Sequence, residues 1–592
     1  MNKSILLGAL SLTAISLQGA APKHPNVIFI MTDDQGYGDV GCLGNPNIRT
    51  PNLDKLHAQS VRFTNFHSGT TSAPTRAGLM TGHNNNATGV WHTVLGRSLL
   101  DLEEVTLPSA FLHSGYATAI FGKWHLGDND PYLPHDRGFQ HSLIHLGGGI
   151  TQSPDYWNNT YFNDVYLRNG VPEKQRGYCT DVWFSEAISF IEQNKEKPFF
   201  CCIMPNAPHV PLHIEERYAA PYRANDQVVS PEFYGMIANI DENMGALQHK
   251  LRELKLEQHT IVIFMTDNGT ASGAELDKNE FVTKGYNAGM RGKKSSAYEG
   301  GHRVPFFFSM PGAKACDVNA LAYYADFMPT LVDLCSLTTP RPIVYDGITL
   351  RPALEGKNLP ERTLCVDTQR DEFLEKGKNS CVMTRRWRLI NLSELYDIQA
   401  DPEQRSDVAQ KYPETVANLQ AEYDKWWVRA SVRADKYQYI PLFTDRCVTL
   451  NSMDLHAESN GQPIPAWNQN MLRKGHRSHG FWSIEILQDG RYTFDLMRWP
   501  AESGLPLSAA APKGDPIPNG TPFPEGVSIP VNGARLAIGD KVLTQTIDNP
   551  GEKCSIQFEV TLAKGYYNLR AEFTEAGKKN FSAYYVVACK TE

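Results

Sequence analysis

The chain has no excess of positive charge. Its 592 residues include 57 Lys and Arg against 65 Asp and Glu, which gives a formal net charge of −8. Proteins that bind nucleic acid through a broad surface carry a net basic balance, so nucleic acid is excluded as a partner. An anionic ligand would have to be bound by a local cluster of positive side chains.

Cysteines are scattered and lack the close paired spacing that is typical of structural zinc sites. There are 11, an odd number, and the adjacent Cys201 and Cys202 lie in an apolar run that suits a buried core. A chain of this length buries enough apolar surface to fold without a disulfide framework. One or two disulfides stay open, and the sequence does not assign them.

Apolar runs long enough to cross a membrane are absent beyond the N-terminus, so we predict no stable membrane insertion. At the N-terminus, Lys3 precedes an apolar stretch over residues 5–17, and small residues follow at 19–21. This pattern is typical of a secretory signal peptide, and the stretch is too short to span a bilayer. We predict a signal peptide over residues 1–21 and a secreted protein, with an N-terminal anchor as the alternative.

Two continuous apolar runs, residues 26–31 and 260–265, suit strands buried on both faces of a sheet. Helical patterns lie between such runs, at residues 52–59, 182–192 and 234–254. Strands that alternate with helices indicate an α/β fold with a mostly parallel central sheet flanked by helices. We place this domain at residues 22–364.

The pattern changes after residue 364. A short strand at 387–390 and an amphipathic helix at 413–427 predict a small α+β subdomain over residues 365–438.

Residues 439–592 are rich in strand patterns. Alternating apolar residues at 482–486, a turn at Asp489, and further alternation at 492–496 predict a β-hairpin. A long Pro- and Gly-rich loop is expected at 504–530. Further strands are predicted at residues 555–562, 566–573 and 583–588. We therefore predict a C-terminal β-sandwich-like domain.

Acidic residues follow both apolar runs: Asp33 and Asp34 after the first, Asp267 and Asn268 after the second. In parallel sheets, ligands gather outside the carboxyl ends of the strands. Carboxylate and amide oxygens suit a hard cation, Ca²⁺ or Mg²⁺. Either pair alone is equally typical of a turn or a helix cap.

Ser72 lies at the predicted start of a helix, because Pro74 suits the first turn, where a missing N–H is not needed. Backbone N–H groups and the helix dipole favour negative charge at this position. Arg76, about one turn later, can point back toward Ser72. A serine N-cap with a solvated arginine is the alternative interpretation.

Three further segments place basic side chains and histidines close together. Lys123 and His125, two apart on an extended segment, face the same side. His209 lies between two prolines, and Lys293 and Lys294 are adjacent in a basic block. Alternatively, these are a surface lysine beside a packed histidine and a structural loop histidine.

Taken together, these segments resemble the signature blocks of the type I, formylglycine-dependent sulfatases of the alkaline phosphatase superfamily. The nucleophile block reads Ser-Ala-Pro-Thr-Arg at 72–76, with Leu-Met-Thr-Gly at 79–82. The other matching blocks are residues 32–39, 121–127, 206–211, 266–269, 291–305, 346–350 and 394–403. The resemblance covers residues 25–427.

The resemblance implies that Ser72 is oxidised to formylglycine, whose hydrated aldehyde is the nucleophile. The serine form is similar to bacterial enzymes matured by an anaerobic, radical-type system, so a formylglycine-generating enzyme is an expected partner. A bacterial source also implies the periplasm as the destination.

The resemblance further implies a role for each site residue. Asp33, Asp34, Asp267 and Asn268 would hold Ca²⁺, which is favoured over Mg²⁺. Lys123 and Lys294 would bind sulfate, and the family lysine lies five residues before Glu299, which selects Lys294 over Lys293. His125 would contact the nucleophile hydroxyl as a base, and His209 would bind sulfate and protonate the leaving alcohol. Arg76 would add positive charge beside them.

Contacts with the alcohol part of the substrate are predicted from less specific patterns. His92 would face the alcohol, Asn206 would support His209, and Trp157 beside the glycines at 147–149 would stack on a sugar. Secretion and a β-rich domain with aromatic residues indicate a sulfated carbohydrate substrate. The C-terminal domain would complete the cleft or bind glycan, and we favour the first.

Two rival functions remain at this point. One is a phosphoester or phosphonate monoester hydrolase of the same fold; the presence of a single acidic cluster favours sulfate. The other is a catalytically inactive protein that binds sulfated glycans and keeps Ser72 unoxidised.

Overall fold

The computed structural model describes residues 24–592, so the predicted signal peptide at 1–21 lies outside the described residues. Within this range, no helix is both long and apolar enough to cross a membrane.

The central sheet has ten strands. In chain order they are β1 (Asn26–Thr32), β2 (Val61–Phe63), β3 (Ala117–Lys123), β4 (His141–His145), β5 (Val165–Arg168), β6 (Val171–Lys174), β7 (Phe199–Met204), β8 (Thr260–Thr266), β9 (Phe306–Ser309) and β10 (Cys316–Val318). Their order across the sheet is β10-β2-β9-β8-β1-β7-β3-β4-β5-β6.

The five middle strands, β8-β1-β7-β3-β4, are parallel to one another. Antiparallel pairs occur toward both edges, where β9 pairs with β8 and β5 pairs with β4. The sheet is therefore mixed, with a parallel centre, and its middle strands end at one common edge.

Eleven helices accompany the sheets in the described part of the chain. They are α1 (Pro51–Gln59), α2 (Ser72–Thr81), α3 (Leu107–His113), α4 (Cys179–Asn194), α5 (Glu216–Ala219), α6 (Pro231–Glu253), α7 (Glu299–His302), α8 (Phe327–Leu334), α9 (Arg351–Leu354), α10 (Pro413–Ala430) and α11 (Gln469–Arg473).

Both faces of the sheet are covered, which explains why β1 is apolar throughout. Phe29 and Met31 pack into a core shared with α2, α3 and α8. Ile28 and Ile30 point the other way, into a core shared with α1, α4 and α6. Side chains alternate between the faces of a strand, so a strand covered on both faces has to be apolar at every position. The predicted α/β fold, with a central sheet flanked by helices, is confirmed.

A separate four-stranded antiparallel sheet follows the catalytic fold. Its strands are β11 (Leu364–Asp367), β12 (Ser380–Met383), β13 (Trp387–Ile390) and β14 (Glu394–Asp397). Helix α10 packs on this sheet through Leu419, Tyr423 and Trp426.

The C-terminal region contains two further sheets. Its strands are β15 (Ile440–Leu442), β16 (Val448–Asn451), β17 (Trp482–Ile486), β18 (Gly490–Met497), β19 (Val531–Ile538), β20 (Lys541–Thr546), β21 (Ser555–Leu562), β22 (Gly565–Glu575), β23 (Phe581–Ser582) and β24 (Tyr585–Lys590). The six-stranded sheet has the order β15-β17-β22-β19-β20, with β23 beside β22, and the four-stranded sheet has the order β16-β24-β18-β21. The domain boundaries at 364 and 438 stay predictions.

The predicted hairpin at residues 482–496 is wrong. Strand β17 pairs with β15 and β22, whereas β18 pairs with β21 and β24 of the other sheet. Both strands turn their alternating apolar residues, such as Ile484 and Phe494, into one interior. A chain that crosses between two facing sheets therefore has the same alternation as a hairpin, and the local pattern does not distinguish the two structures.

One disulfide joins Cys447 to Cys589, with Cα atoms 4.3 Å apart. The two residues lie at the next opposed position beyond the pair Val448 and Ala588 in the antiparallel strands β16 and β24. Cys201 and Cys202 are buried, as the apolar run predicted.

Candidate active site

The register of two central strands brings the acidic pairs together. In the parallel pair β1 and β8, Thr32 lies opposite Thr266, so the next residues, Asp33 and Asp267, emerge side by side. The backbone N–H of Asp34 donates to Asp267 Oδ1 at 3.1 Å. The positive φ of Asp34, 68°, turns the chain at this point, and Asp tolerates this conformation better than most residues.

The acidic cluster has the chemistry of a cation site. Ligand atoms of Asp33, Asp34 and Asp267 lie within 4.8 Å of one another. Burial first, and then the charge of Asp267, raise the pKa of Asp33 far above that of an ordinary carboxyl. Asn268 donates through Nδ2 to Asp34 Oδ1 at 3.0 Å, and its Oδ1 is a buried acceptor without a protein partner in the described part. A hard cation would restore full ionisation and use this free oxygen.

Ser72 is held between a carboxylate and an ammonium. It is the first residue of α2, and its Oγ donates to Asp33 Oδ1 at 3.0 Å. The same Oγ accepts from Lys123 Nζ at 2.9 Å, and Lys123 Nζ also contacts Asp33 Oδ2 at 2.6 Å. Lys123 is the last residue of β3, so the common sheet edge places it there. The helix dipole and the Lys123 ammonium favour negative charge on this oxygen.

Arg76 lies beneath this group rather than on the cavity wall. One turn into α2, its guanidinium donates to Asp267 Oδ2 at 3.2 Å and to the backbone O of Lys123 at 3.0 Å. It therefore orients both neighbours and contributes positive charge from below.

The two adjacent lysines of the basic block lie in different places. Lys294 Nζ contacts Asp34 Oδ1 at 2.5 Å and lines the cavity. Lys293 points elsewhere and donates to the backbone O of Ala274 at 3.4 Å.

The hydrogen bonds of two histidines define their tautomers. His125 Nε2 lies 3.1 Å from the backbone O of Thr93, so Nε2 carries the proton, and Nδ1 is an acceptor without a partner among residues 24–592. His209 Nδ1 lies 2.6 Å from the backbone O of Val210, which leaves Nε2 unprotonated, 3.8 Å from Asp34 Oδ2. Burial lowers the pKa of His125 well below its usual value and that of His209 to about 4. Gly148 lets the chain pass against the His125 ring, because a Cβ there would lie 2.3 Å from it.

His92, predicted to face the alcohol, and Asn206, predicted to support His209, differ in placement. His92 lines the cavity, and its Nδ1 accepts from the backbone N of Thr93 at 2.6 Å, so its Nε2–H is a donor. Burial, and then the charge of Arg370, lower the pKa of His92 to about 3. Asn206 is buried behind the wall, where its Oδ1 accepts from Trp183 Nε1 at 3.1 Å. It therefore supports the His209 loop and does not contact a ligand in the cavity.

These side chains surround one cavity of about 500 Å³. Its wall includes Asp34, Ser72, His92, Lys123, His125, His209 and Lys294. It also includes Arg370, Ile464 and Trp467, which the sequence analysis missed. No motif marks these three, because they reach the cavity from loops far along the chain.

Arg370 follows β11, and its guanidinium donates to Ser295 Oγ at 3.1 Å. Its loop is fixed by a buried carboxylate two residues further on. Glu372 accepts from Arg97 Nε at 3.0 Å and from the backbone N of Ala457 at 2.9 Å, and it contacts His456 Nδ1 at 3.0 Å. Three parts of the chain therefore meet at one carboxylate near the cavity.

Trp157 does not lie on the cavity wall, in contrast to the prediction of a sugar-stacking rim. Its ring packs edge-on against Trp499 at 5.4 Å, and Arg473 lies 4.7 Å from its centroid. Its partly buried ring packs against the C-terminal core instead.

The site combines a hydroxyl between a carboxylate and an ammonium, an acidic cluster fit for a cation, and a basic cavity at the carboxyl edge of an α/β sheet. Together these features define a hydrolase for esters of a tetrahedral anion. The sulfatase family profile matches residues 25–337, more than half of the chain. The chain belongs to the sulfatase family and is a sulfuric ester hydrolase.

Individual relatives agree with this family. The N-acetylgalactosamine-6-O-sulfatase of Bacteroides thetaiotaomicron is 28% identical over 484 residues, which cover 68% of this chain and 93% of the relative. Human arylsulfatase A is 31% identical over 372 residues, covering 58% and 70%. The crystal structure of Ps i-CgsB superposes with a TM-score of 0.61 at 25% identity, covering 69% of this chain and 93% of that one.

Proposed function

We propose that the enzyme hydrolyses a sulfate ester on a carbohydrate, with formylglycine formed from Ser72 as the nucleophile and Ca²⁺ in the acidic cluster. The observation that carries the proposal is the position of Ser72. Its hydroxyl lies on the cavity wall at a helix start, bonded to both Asp33 and Lys123.

Conversion of Ser72 to formylglycine removes two hydrogens from its CH₂–OH group and requires a maturation enzyme with its own oxidant. Water adds to the aldehyde, so that one carbon carries two hydroxyls. One hydroxyl attacks sulfur and the alcohol leaves with a proton. The other then gives up its proton as the C=O bond forms again and sulfate departs. Unmodified serine would instead leave a stable sulfate ester that needs a second attack by water.

The chain's own residues supply the charge and the proton transfers. Lys123 and Lys294, both on the wall, would hold sulfate oxygens. His125 Nδ1 is a free acceptor and would take the proton when sulfate is expelled. His209 Nε2 would protonate the leaving alcohol. Because burial lowers the pKa of His209 to about 4, we expect the anionic substrate to raise it when bound.

Asp33, Asp34, Asp267 and Asn268 would hold the cation, and their crowded charge and the free Asn268 Oδ1 support this role. When bound, Ca²⁺ neutralises charge on the sulfate and lowers the pKa of the attacking hydroxyl. All-oxygen ligands are also compatible with Mg²⁺, and we favour Ca²⁺ from the family resemblance.

The carbohydrate class rests on relatives. The Bacteroides thetaiotaomicron relative is an N-acetylgalactosamine-6-O-sulfatase, and Ps i-CgsB forms a complex with k-i-k-neocarrahexaose. We carry over only the shared class, a sulfated sugar. Secretion to the periplasm is proposed from the signal-like N-terminus, and the Cys447–Cys589 disulfide is typical of an oxidising compartment.

Two measurements test the proposal. Mass spectrometry of the peptide that carries Ser72, from enzyme made in a bacterium with a serine-type maturation system, should show the loss of two hydrogens. The same enzyme should hydrolyse 4-nitrophenyl sulfate far faster than 4-nitrophenyl phosphate, and Ser72→Ala should abolish turnover. Full activity with an unmodified Ser72 would contradict the nucleophile, and a preference for phosphate would favour the rival hydrolase.

A further inference from the structure

A second cavity of about 1000 Å³ opens beside the cavity that Ser72 lines. Gln152, His209, Val210 and Trp467 line both cavities. The two spaces therefore share a wall, and a ligand that fills the first can extend into the second.

Trp467 is fixed on that shared wall by backbone pairing between distant segments. Its backbone O accepts from Ser153 N at 3.0 Å, and Gln469 N donates to the backbone O of Thr151 at 3.0 Å. Its ring is half-buried. A rigid, half-buried indole presents an apolar face at little entropic cost, which suits stacking against a sugar ring.

The far wall of the second cavity belongs mostly to the C-terminal region. Exposed polar side chains line it, including Asn470, Lys474 and Asn519, together with the apolar Ile517 and Phe523. Amides that donate and accept, beside apolar ring surfaces, match the alternating hydroxyls and C–H faces of a sugar.

The charges in this cavity favour an anionic occupant. Glu232 is its acidic lining residue, and it pairs at 2.9 Å with Arg223, which also pairs with Glu216. Lys474 is exposed on the opposite, C-terminal side and adds a positive charge. A carboxylate or a second sulfate on the occupant would pair with this ammonium.

We propose that the cavity between Trp467 and Lys474 is a second subsite, which binds an anionic sugar adjacent to the sulfated sugar in the same glycan. This inference rests on the proposed function. It makes the C-terminal region a part of substrate recognition and makes oligosaccharides, rather than monosaccharides, the preferred substrates.

The experiment compares chain lengths on the matured, full-length enzyme. Its probes are 4-nitrophenyl sulfate, N-acetylgalactosamine 6-sulfate, chondroitin 6-sulfate di- and tetrasaccharides, and carrageenan hexasaccharides. We expect the best oligosaccharide to exceed its sulfated monosaccharide by at least about tenfold in kcat/KM, which is about 1.4 kcal/mol. Lys474→Ala should remove most of this advantage, and the matched control Lys564→Ala, an exposed lysine outside both cavities, should keep it.

Equal kcat/KM for monosaccharide and oligosaccharide would overturn the subsite, as would a Lys474→Ala variant that slows every substrate by the same factor. Hydrolysis of 4-nitrophenyl sulfate without cleavage of any glycan would also overturn it, while sulfatase chemistry stands. Failure on all probes by enzyme whose Ser72 has been converted to formylglycine would instead contradict the proposed function.

Discussion

Asp33, Asp34 and Asp267 form one buried group whose ligand atoms lie within 4.8 Å of one another, and His67, Glu299 and His302 form another. The first follows two strands of the central sheet, the second comes from a short strand at His67 and from α7, and both have the spacing of a metal site. They differ in the charges that already face them. That difference decides which group has room for a cation.

The second group is already neutralised by arginine. Arg388 Nε lies 2.5 Å from Glu299 Oε1, and Arg303 lies 3.6 Å from Oε2. His67 and His302 share a hydrogen bond of 2.9 Å between their Nδ1 atoms. The arginines hold the pKa of Glu299 well below its usual range, and burial lowers the pKa of both histidines. Two guanidinium groups already balance the charge of the ionised Glu299 carboxylate, so this group does not need a cation.

The first group has the opposite character. Three carboxylates crowd together, and burial with Asp267 pushes Asp33 toward its protonated form. Two of the cations that face them, Lys123 and Lys294, also line the cavity and are available to an anionic ligand. The comparison shows that spacing alone does not predict a metal site, because the balance of nearby charges has to favour the ion.

The largest expected effect is on catalysis. Asp267→Asn should lower kcat/KM for 4-nitrophenyl sulfate by about 10³-fold or more, or about 4 kcal/mol, because it weakens cation binding and releases Arg76. Bound calcium, measured by elemental analysis, should fall in parallel. A Glu299→Gln control should keep its bound calcium. Loss of calcium in the control, but not in Asp267→Asn, would reverse the assignment of the two groups.

The next effect is on stability. Glu299→Gln should lower the free energy of unfolding by about 3–5 kcal/mol, since it leaves Arg388 buried without its ion pair. Denaturant unfolding followed by tryptophan fluorescence measures this change. Adding Arg388→Met to the same variant should recover part of the loss. An unchanged unfolding midpoint in Glu299→Gln would mean that the pair carries no net stability.

A smaller effect is expected from metal removal. Chelation should lower the melting temperature of the wild-type enzyme, and calcium returned at 100 times its Kd should restore about 2.7 kcal/mol. Glu299→Gln should respond to calcium by the same amount, and Asp267→Asn should respond much less. A calcium response that survives in Asp267→Asn would place the ion elsewhere.

The smallest effect concerns the outer arginine. Arg303 is 24% exposed and lies 3.6 Å from Glu299, so Arg303→Gln should cost about 1 kcal/mol or less. The same unfolding measurement applies. A loss as large as that of Glu299→Gln would show that Arg303, and not Arg388, neutralises the carboxylate.

The sequence identified the candidate site residues whose positions depend on local structure. Asp33 and Asp267 directly follow strands of the central sheet, and Lys123 ends one, so parallel register alone brings them to one edge. Ser72 follows from helix-start chemistry. The α/β fold was predictable for the same reason, because apolar runs and helical periods are local patterns.

What escaped prediction depends on contacts between distant segments. Arg370 and Trp467 reach the cavity through loops whose positions are set by tertiary pairing, such as that of Glu372 with His456. The strands around Asp489 enter different sheets, and this choice is made by partners in β21 and β22 that lie 58 to 87 residues away in sequence, from Met497 opposite Ser555 to Trp482 opposite Leu569. Periodicity reports which face of a strand is buried, and not against which strand it pairs.

The carboxylate of Glu372 links Arg97 near the nucleophile helix, the Arg370 loop and the C-terminal His456. As a result, the C-terminal sandwich cannot be shortened or exchanged without altering the catalytic domain. A protein truncated after residue 438 would lack His456, so Glu372 would keep only its ion pair with Arg97. The loop that carries Arg370 to the cavity would then be less firmly fixed. Changes in substrate preference that arise in the sandwich can therefore reach the reacting centre through one shared ion pair.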